Sequence, residues 1–131
     1  MTEEPHFISI EDALYFHDEE IKCAGGATGL RKLEQLEAAV NAPKATFGGN
    51  FLYDLFEMAA TYVDSICTNH PFIDGNKRTG AACALTFLAI NGYEIEEQYD
   101  EEIANKVLSL VKHEIDKSKL ADYFRKNSKK I

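Results

Sequence analysis

His70-Pro71-Phe72-Ile73-Asp74-Gly75-Asn76-Lys77-Arg78-Thr79-Gly80 divides two apolar helical patterns, and its reading decides both fold and chemistry. Upstream, Leu52, Leu55, Phe56, Ala59, Val63 and Ile66 recur at the i, i+3, i+4 spacing of a buried stripe that runs to about Asn69. Downstream of Gly75, Ala81, Ala84, Leu85 and Leu88 repeat that spacing, and Asn91-Gly92 supplies a left-handed exit. Both helices are apolar over much of their surface, which makes them the central pair. The small residues Gly80, Ala81, Ala82 and Ala84 let a neighbouring helix approach closely.

Moving outward, Ser9 with Asp12 three residues on reads as a helix N-cap, and the pattern then continues to about Cys23. The run Gly25-Gly26-Ala27-Thr28-Gly29 stops it. It follows a helix rather than a strand and lacks a G-x-G-x-x-G or Gly-Lys-Thr continuation, so it reads as a flexible connector and not a phosphate loop. Leu30, Leu33, Leu36 and Val40 mark a second helix, closed by Pro43. Lys44 to Phe51, with Gly48-Gly49 and two aromatics, is either plain loop or a flap whose backbone edge takes an extended peptide. On the far side, Tyr93 to Glu96 is ambiguous, Asp100 opens a helix, and Ser118 caps a last one carrying Leu120, Tyr123 and Phe124. The basic tail from about Arg125 is expected to fray. Strand signals are scarce. The expected class is all-α, with five to seven helices in one domain over residues 1–131.

Composition narrows the function. The net charge of −8 argues against a nucleic-acid surface, which needs a basic face, while leaving room for a small basic pocket. No apolar run approaches the roughly 20 residues that span a bilayer, so no membrane role is expected. The acidic start Met1-Thr2-Glu3-Glu4 lacks the basic-then-apolar order of a signal peptide. Cys23, Cys67 and Cys83 are odd in number and lack a C-x-x-C pair, which suits buried free thiols in a reducing cytoplasm.

The turn itself concentrates chemistry. His70, near Asp74 and Lys77 in a polar turn, suits a general base for a hydroxyl nucleophile better than a structural role. Asp74 is either a turn former or the single carboxylate of a magnesium site on a nucleotide. Gly75 turns the chain, and it lets backbone approach a phosphate without a Cβ in the way. Asn76 is a candidate N-cap whose amide could also hold a phosphate oxygen. Lys77 and Arg78 oppose the helix dipole at this end, a misfit that an anion would relieve. Phe72 plugs the turn into the core. His6, His17 and His113 show no metal spacing with His70, and no H-E-x-x-H or G-x-S-x-G is present.

The string His70-Pro-Phe-x-Asp74-Gly75-Asn76-Lys77-Arg78-Thr79 resembles the core motif of the Fic/Doc superfamily, and within it the Doc (death-on-curing) toxin branch. Gly25-Gly26, Gly29-Leu30-Arg31, the stretch Ala42 to Gly49 and Asn91-Gly92-Tyr93 extend the likeness over nearly the whole chain. The resemblance implies a compact helical fold with the motif between two central helices. It implies His70 as the base, Asp74 as the Mg²⁺ ligand, and Gly75, Asn76, Lys77, Arg78 and Thr79 around the phosphates of ATP. Lys77 and Arg78 also act on the transferred group, while Thr46, Phe47, Gly48 and Gly49 form a target-docking flap.

Adenylylating Fic proteins have glycine where Lys77 stands and a second arginine where Ala81 stands. The Doc branch carries the lysine. This likeness implies a protein kinase that passes the γ-phosphate of ATP to a threonine of elongation factor Tu and arrests translation. A Phd-like antitoxin peptide would restrain it by folding into a groove, since no inhibitory S/T-x-x-x-E-G/N pattern occurs in the chain. The alternatives are an adenylyltransferase and a catalytically silent binding module.

Overall fold

α1 (Ile10–Ala24), α2 (Leu33–Asn41), α3 (Leu55–Asn69), α4 (Asn76–Ile90), α5 (Asp100–Val111) and α6 (Lys117–Asn127) make an all-α fold in the computed structural model, which describes residues 4–131. The acidic start, Met1 to Glu3, lies outside the described residues. Two small antiparallel pairs are added: β1 (Thr46–Phe47) with β2 (Asn50–Phe51), and β3 (Tyr93–Glu94) with β4 (Lys129–Lys130).

The centre is α3 against α4, with α2 and α6 packed on α3 and α1 on α4. α3 is buried nearly all round, from Met58 through Val63 and again at Ser65 and Ile66. The close approach expected of the small residues occurs at Gly80, where an added Cβ would lie 3.3 Å from the Val63 Cα. Phe87 of α4 packs on Tyr62 of α3 at 5.2 Å between ring centres. The Tyr62 hydroxyl in turn accepts the Ile8 N–H at 2.9 Å, which ties the N-terminal segment to the core.

Helix starts follow local capping chemistry. Ser9 and Asp12 form the expected capping box on α1, and Asp54 and Glu57 form another on α3. The cap of α6 is Asp116 rather than Ser118: its carboxylate accepts the Lys119 N–H at 2.9 Å, and Ser118 falls inside the helix. Serine and aspartate cap about equally well, so residue type alone does not separate them.

The tail does not fray as expected. α6 runs on to Asn127, β4 then pairs with β3, and the Ile131 N–H donates to Gly92 O at 2.8 Å. Burial of Tyr123 and Phe124 anchors the helix that delivers it.

Between α2 and α3 the open choice between loop and flap resolves to a tight hairpin. Gly48 and Gly49, at φ 60° and 84°, form its turn, where both central residues need positive φ. Phe47 at its tip is 81% exposed, so the hairpin holds an aromatic ring in solvent instead of packing it. Among the described residues no helix is long and apolar enough to cross a membrane.

Candidate active site

α3 ends because His70 adopts the left-handed conformation (φ 51°, ψ 54°) and Pro71 follows it. The His70 N–H still closes the helix onto Ile66 O at 3.0 Å. Phe72 then drives into the core, 1% exposed, with its ring stacked on that of His17 at 3.8 Å and 4°. Burying such a ring contributes about 1.5–3 kcal/mol, enough to seat the turn.

Asn76 locks this arrangement. Its Oδ1 accepts the Phe72 N–H at 3.0 Å, and its Nδ2 donates to Phe72 O at 2.9 Å. The same Nδ2 lies 3.1 Å from His70 Nδ1. The two Phe72 bonds orient the amide, so its nitrogen donates and Nδ1 accepts. The neutral His70 ring therefore carries its proton on Nε2. Asn76 is the first residue of α4, with Gly75 at the cap position, so it is neither the expected N-cap nor a side chain free for phosphate.

Asp74 is exposed, with each oxygen on one N–H: Oδ1 on Gly75 at 2.8 Å and Oδ2 on Ala27 at 3.1 Å. These bonds, Ala27's first, hold its carboxyl below the usual carboxylate range, and the charges of Arg78 and Lys77 add to them. From beneath, the buried His17 donates its Nε2–H to Asp74 O at 2.8 Å.

The glycine-rich run expected to be a flexible connector is a strap across the turn. Leu30 and Phe72 form an antiparallel bridge, and the Ile73 N–H donates to Gly29 O at 3.1 Å. A Cβ on Gly26 would stand 2.6 Å from Asp74 Oδ2, at a φ of 124° that side chains rarely adopt. Glycine is needed there for close approach, not for mobility.

The expected residues separate into two groups. His70, Asp74, Lys77 and Arg78 border the open side of the turn, and Gly75 supports it from a buried cap position. Thr79 is fully buried, with a hydroxyl that meets no partner among the described residues, so it packs under the turn and offers its side chain to no ligand above it. Arg78 does less against the dipole than sequence suggested. Its Nη1 donates to Gly25 O at 3.0 Å and, more weakly, to Glu20 O at 3.4 Å. It thus meets carbonyls at the C-terminal, negative end of α1. Lys77 is exposed, with no carboxylate within ion-pair distance among the described residues.

α4 has no side-chain cap, and within the described residues nothing accepts from the N–H groups of Asn76, Lys77 and Arg78. Beside them a cleft of about 470 Å³ opens between α4 and α5, lined by Lys77, Arg78, Ala81, Ala82, Leu85 and residues of α5. The arrangement can hold an anion on open N–H groups, accept a proton at an imidazole and present one ionised carboxylate. Sequence reading missed His17 and the strap as parts of this site. His17 shares a helix face with Ala13 and Ile21, a signal of burial but not of role.

The sequence profile of the Fic/DOC family matches residues 7–88, which take in both central helices up to Leu88 and the histidine-bearing turn between them; the chain belongs to that family. Within it the likeness is to the Doc branch. The chain is 34% identical over 119 residues to "Protein kinase doc" of Escherichia phage P1, covering 91% of this chain and 93% of that protein. It is 40% identical over 88 residues to "Toxin Doc" of Mycolicibacterium smegmatis, covering 66% of this chain and 68% of that one.

Proposed function

We propose that this protein is a Doc-type toxin, a cytoplasmic protein kinase that transfers the γ-phosphate of ATP to a threonine hydroxyl of elongation factor Tu. The observation that supports this reading is the start of α4, where among the described residues three N–H groups have no acceptor and Lys77 has no carboxylate partner, a set that suits phosphate oxygens. Lys77 and Ala81, in place of glycine and a second arginine, favour this outcome over AMP transfer. The name of the phage relative supports the same reading.

In the reaction the hydroxyl oxygen attacks the γ-phosphorus and its proton goes to His70. The bond to the β-phosphate oxygen breaks, and ADP leaves. The neutral ring offers its Nδ1 lone pair, so the incoming hydroxyl competes with the Asn76 amide for that atom. Lys77 and the open N–H groups stabilise charge on the transferred group. Arg78, held on the α1 carbonyls, adds its positive charge from beside them. Asp74 is ionised and keeps a second lone pair on each oxygen, which fits a magnesium ion carried by a nucleotide. When bound, that ion would neutralise phosphate charge.

The hairpin tip at Thr46 to Gly49, with Phe47 in solvent, suits docking of an extended target segment. The cleft between α4 and α5 suits the helix of a Phd-like antitoxin, with Lys77 and Arg78 at one end to meet an acid.

The test is mass spectrometry of elongation factor Tu incubated with the protein and ATP. A gain of one phosphate is expected, falling about 10²–10⁴-fold in His70→Ala, the usual contribution of a general base. A gain of AMP instead would make the protein an adenylyltransferase. No gain from folded protein on authentic target would leave a binding module.

A further inference from the structure

We propose that Arg31, on the strap and outside the motif, is the positioning residue for His70. The role rests on His70 being the proton acceptor of the reaction above.

Arg31 grips three consecutive carbonyls of the turn. Its Nε donates to His70 O at 2.9 Å and its Nη2 to Asn69 O at 3.2 Å. Its own backbone N–H donates to Pro71 O at 2.6 Å. No carboxylate lies within ion-pair distance of it among the described residues, so its charge is directed at carbonyls at the end of α3. That is the negative end of the helix, where a cation is favoured.

The grip falls on a residue in need of one. His70 holds a left-handed backbone that normally goes to glycine. Released, it would relax toward an ordinary conformation and carry its ring away from Asn76. Arg31 restrains the backbone of His70 from one side, while Asn76 restrains Nδ1 from the other. A planar fork of donors suits two neighbouring carbonyls, and a lysine ammonium does not reproduce it. Among the described residues Arg31 makes no hydrogen bond to the first turn of α4, so its substitution is expected to leave nucleotide affinity unchanged.

The experiment uses Arg31→Gln and Arg31→Lys in the full chain. In wild type, nitrogen-15 labelling gives a through-hydrogen-bond coupling between Asn76 Nδ2 and His70 Nδ1. In Arg31→Gln that coupling is lost, the His17 signals stay in place, ATP affinity stays within about twofold, and kcat falls roughly 10–100-fold, as a misplaced reacting group predicts. Arg31→Lys, which keeps charge and stem, recovers less than half of the coupling, and it carries the test should the glutamine variant fail to fold. An unchanged coupling in both variants would overturn the proposal, as would a loss of ATP affinity parallel to the loss of rate. Were wild type to transfer no phosphate, the kinase reading would fall, and the coupling would still decide whether Arg31 positions His70.

Discussion

The two central helices, α3 and α4, are both 15 residues long and both follow an aspartate, yet their first turns are finished in opposite ways. Asp54 stands at the cap of α3. It accepts the Glu57 N–H at 2.9 Å, and Glu57 returns the bond to the Asp54 N–H at 3.0 Å. Its second oxygen pairs with Arg125 at 2.8 Å. Asp74 stands one residue further from its helix. Its oxygens go to Gly75 and Ala27, and among the described residues the next three N–H groups have no acceptor. α3 places an acid in its first turn; α4 places Lys77 and Arg78 there. One helix start is closed for stability, and the other leaves its field unspent for a ligand. The displacement of one carboxylate by one residue separates the two.

The sharpest way to break this contrast is Lys77→Glu, which gives α4 the acid that α3 has. ATP affinity should fall at least about tenfold, ~1.4 kcal/mol, by titration calorimetry. Thermal stability should rise, since an acid in the first turn gains about 0.3–1 kcal/mol from the dipole. Opposite signs are the expected result; weaker binding with no gain in stability would mean the field at α4 is not unspent.

Asp54→Ala probes the other helix. Denaturant unfolding should show a loss of about 0.5–2 kcal/mol, the usual worth of a cap. The half-exposed pair with Arg125 adds little to this. The rate per folded molecule should be unchanged, and a slower enzyme of full stability would show that the start of α3 also serves the reaction.

The smallest effect is acid sensitivity at Asp74. Its folded carboxyl is held below the usual range, so its bonds stabilise fully above the unfolded value of about 3.9. That contribution disappears as pH falls through the folded value. Wild type should therefore lose stability relative to Asp74→Asn below about pH 4, with parallel unfolding curves near neutrality. Parallel curves throughout the acid range would show that the Ala27 and Gly75 bonds do not favour the charged form.

Sequence carried the helices well where hydrophobic period and cap chemistry agreed, as in α1, with Ser9 and Asp12, and in the α3 stripe. It carried the motif because base, carboxylate, glycine and cations fall within one short string. It misread the glycine-rich run. Glycine permits both mobility and close approach, and only the partner, here Asp74 against Gly26, says which of the two is used. The tail was misread for a similar reason. Its lysines signal exposure, and pairing with β3 is a contact across more than 30 residues that local pattern does not contain.

The order of residues alone therefore determined an all-helical chain, a reactive turn between its two central helices and the family to which that turn belongs. These are short-range properties, set by periodicity and by side chains a few positions apart. Which groups of the turn are spent on structure and which stay open was decided by the tertiary fold. Asn76 and Thr79 are consumed, Arg78 is diverted to α1, and Arg31 and His17 arrive from 39 and 57 residues away. Hydrogen-bond partners are chosen by proximity in space, and proximity in space is what a folded core creates.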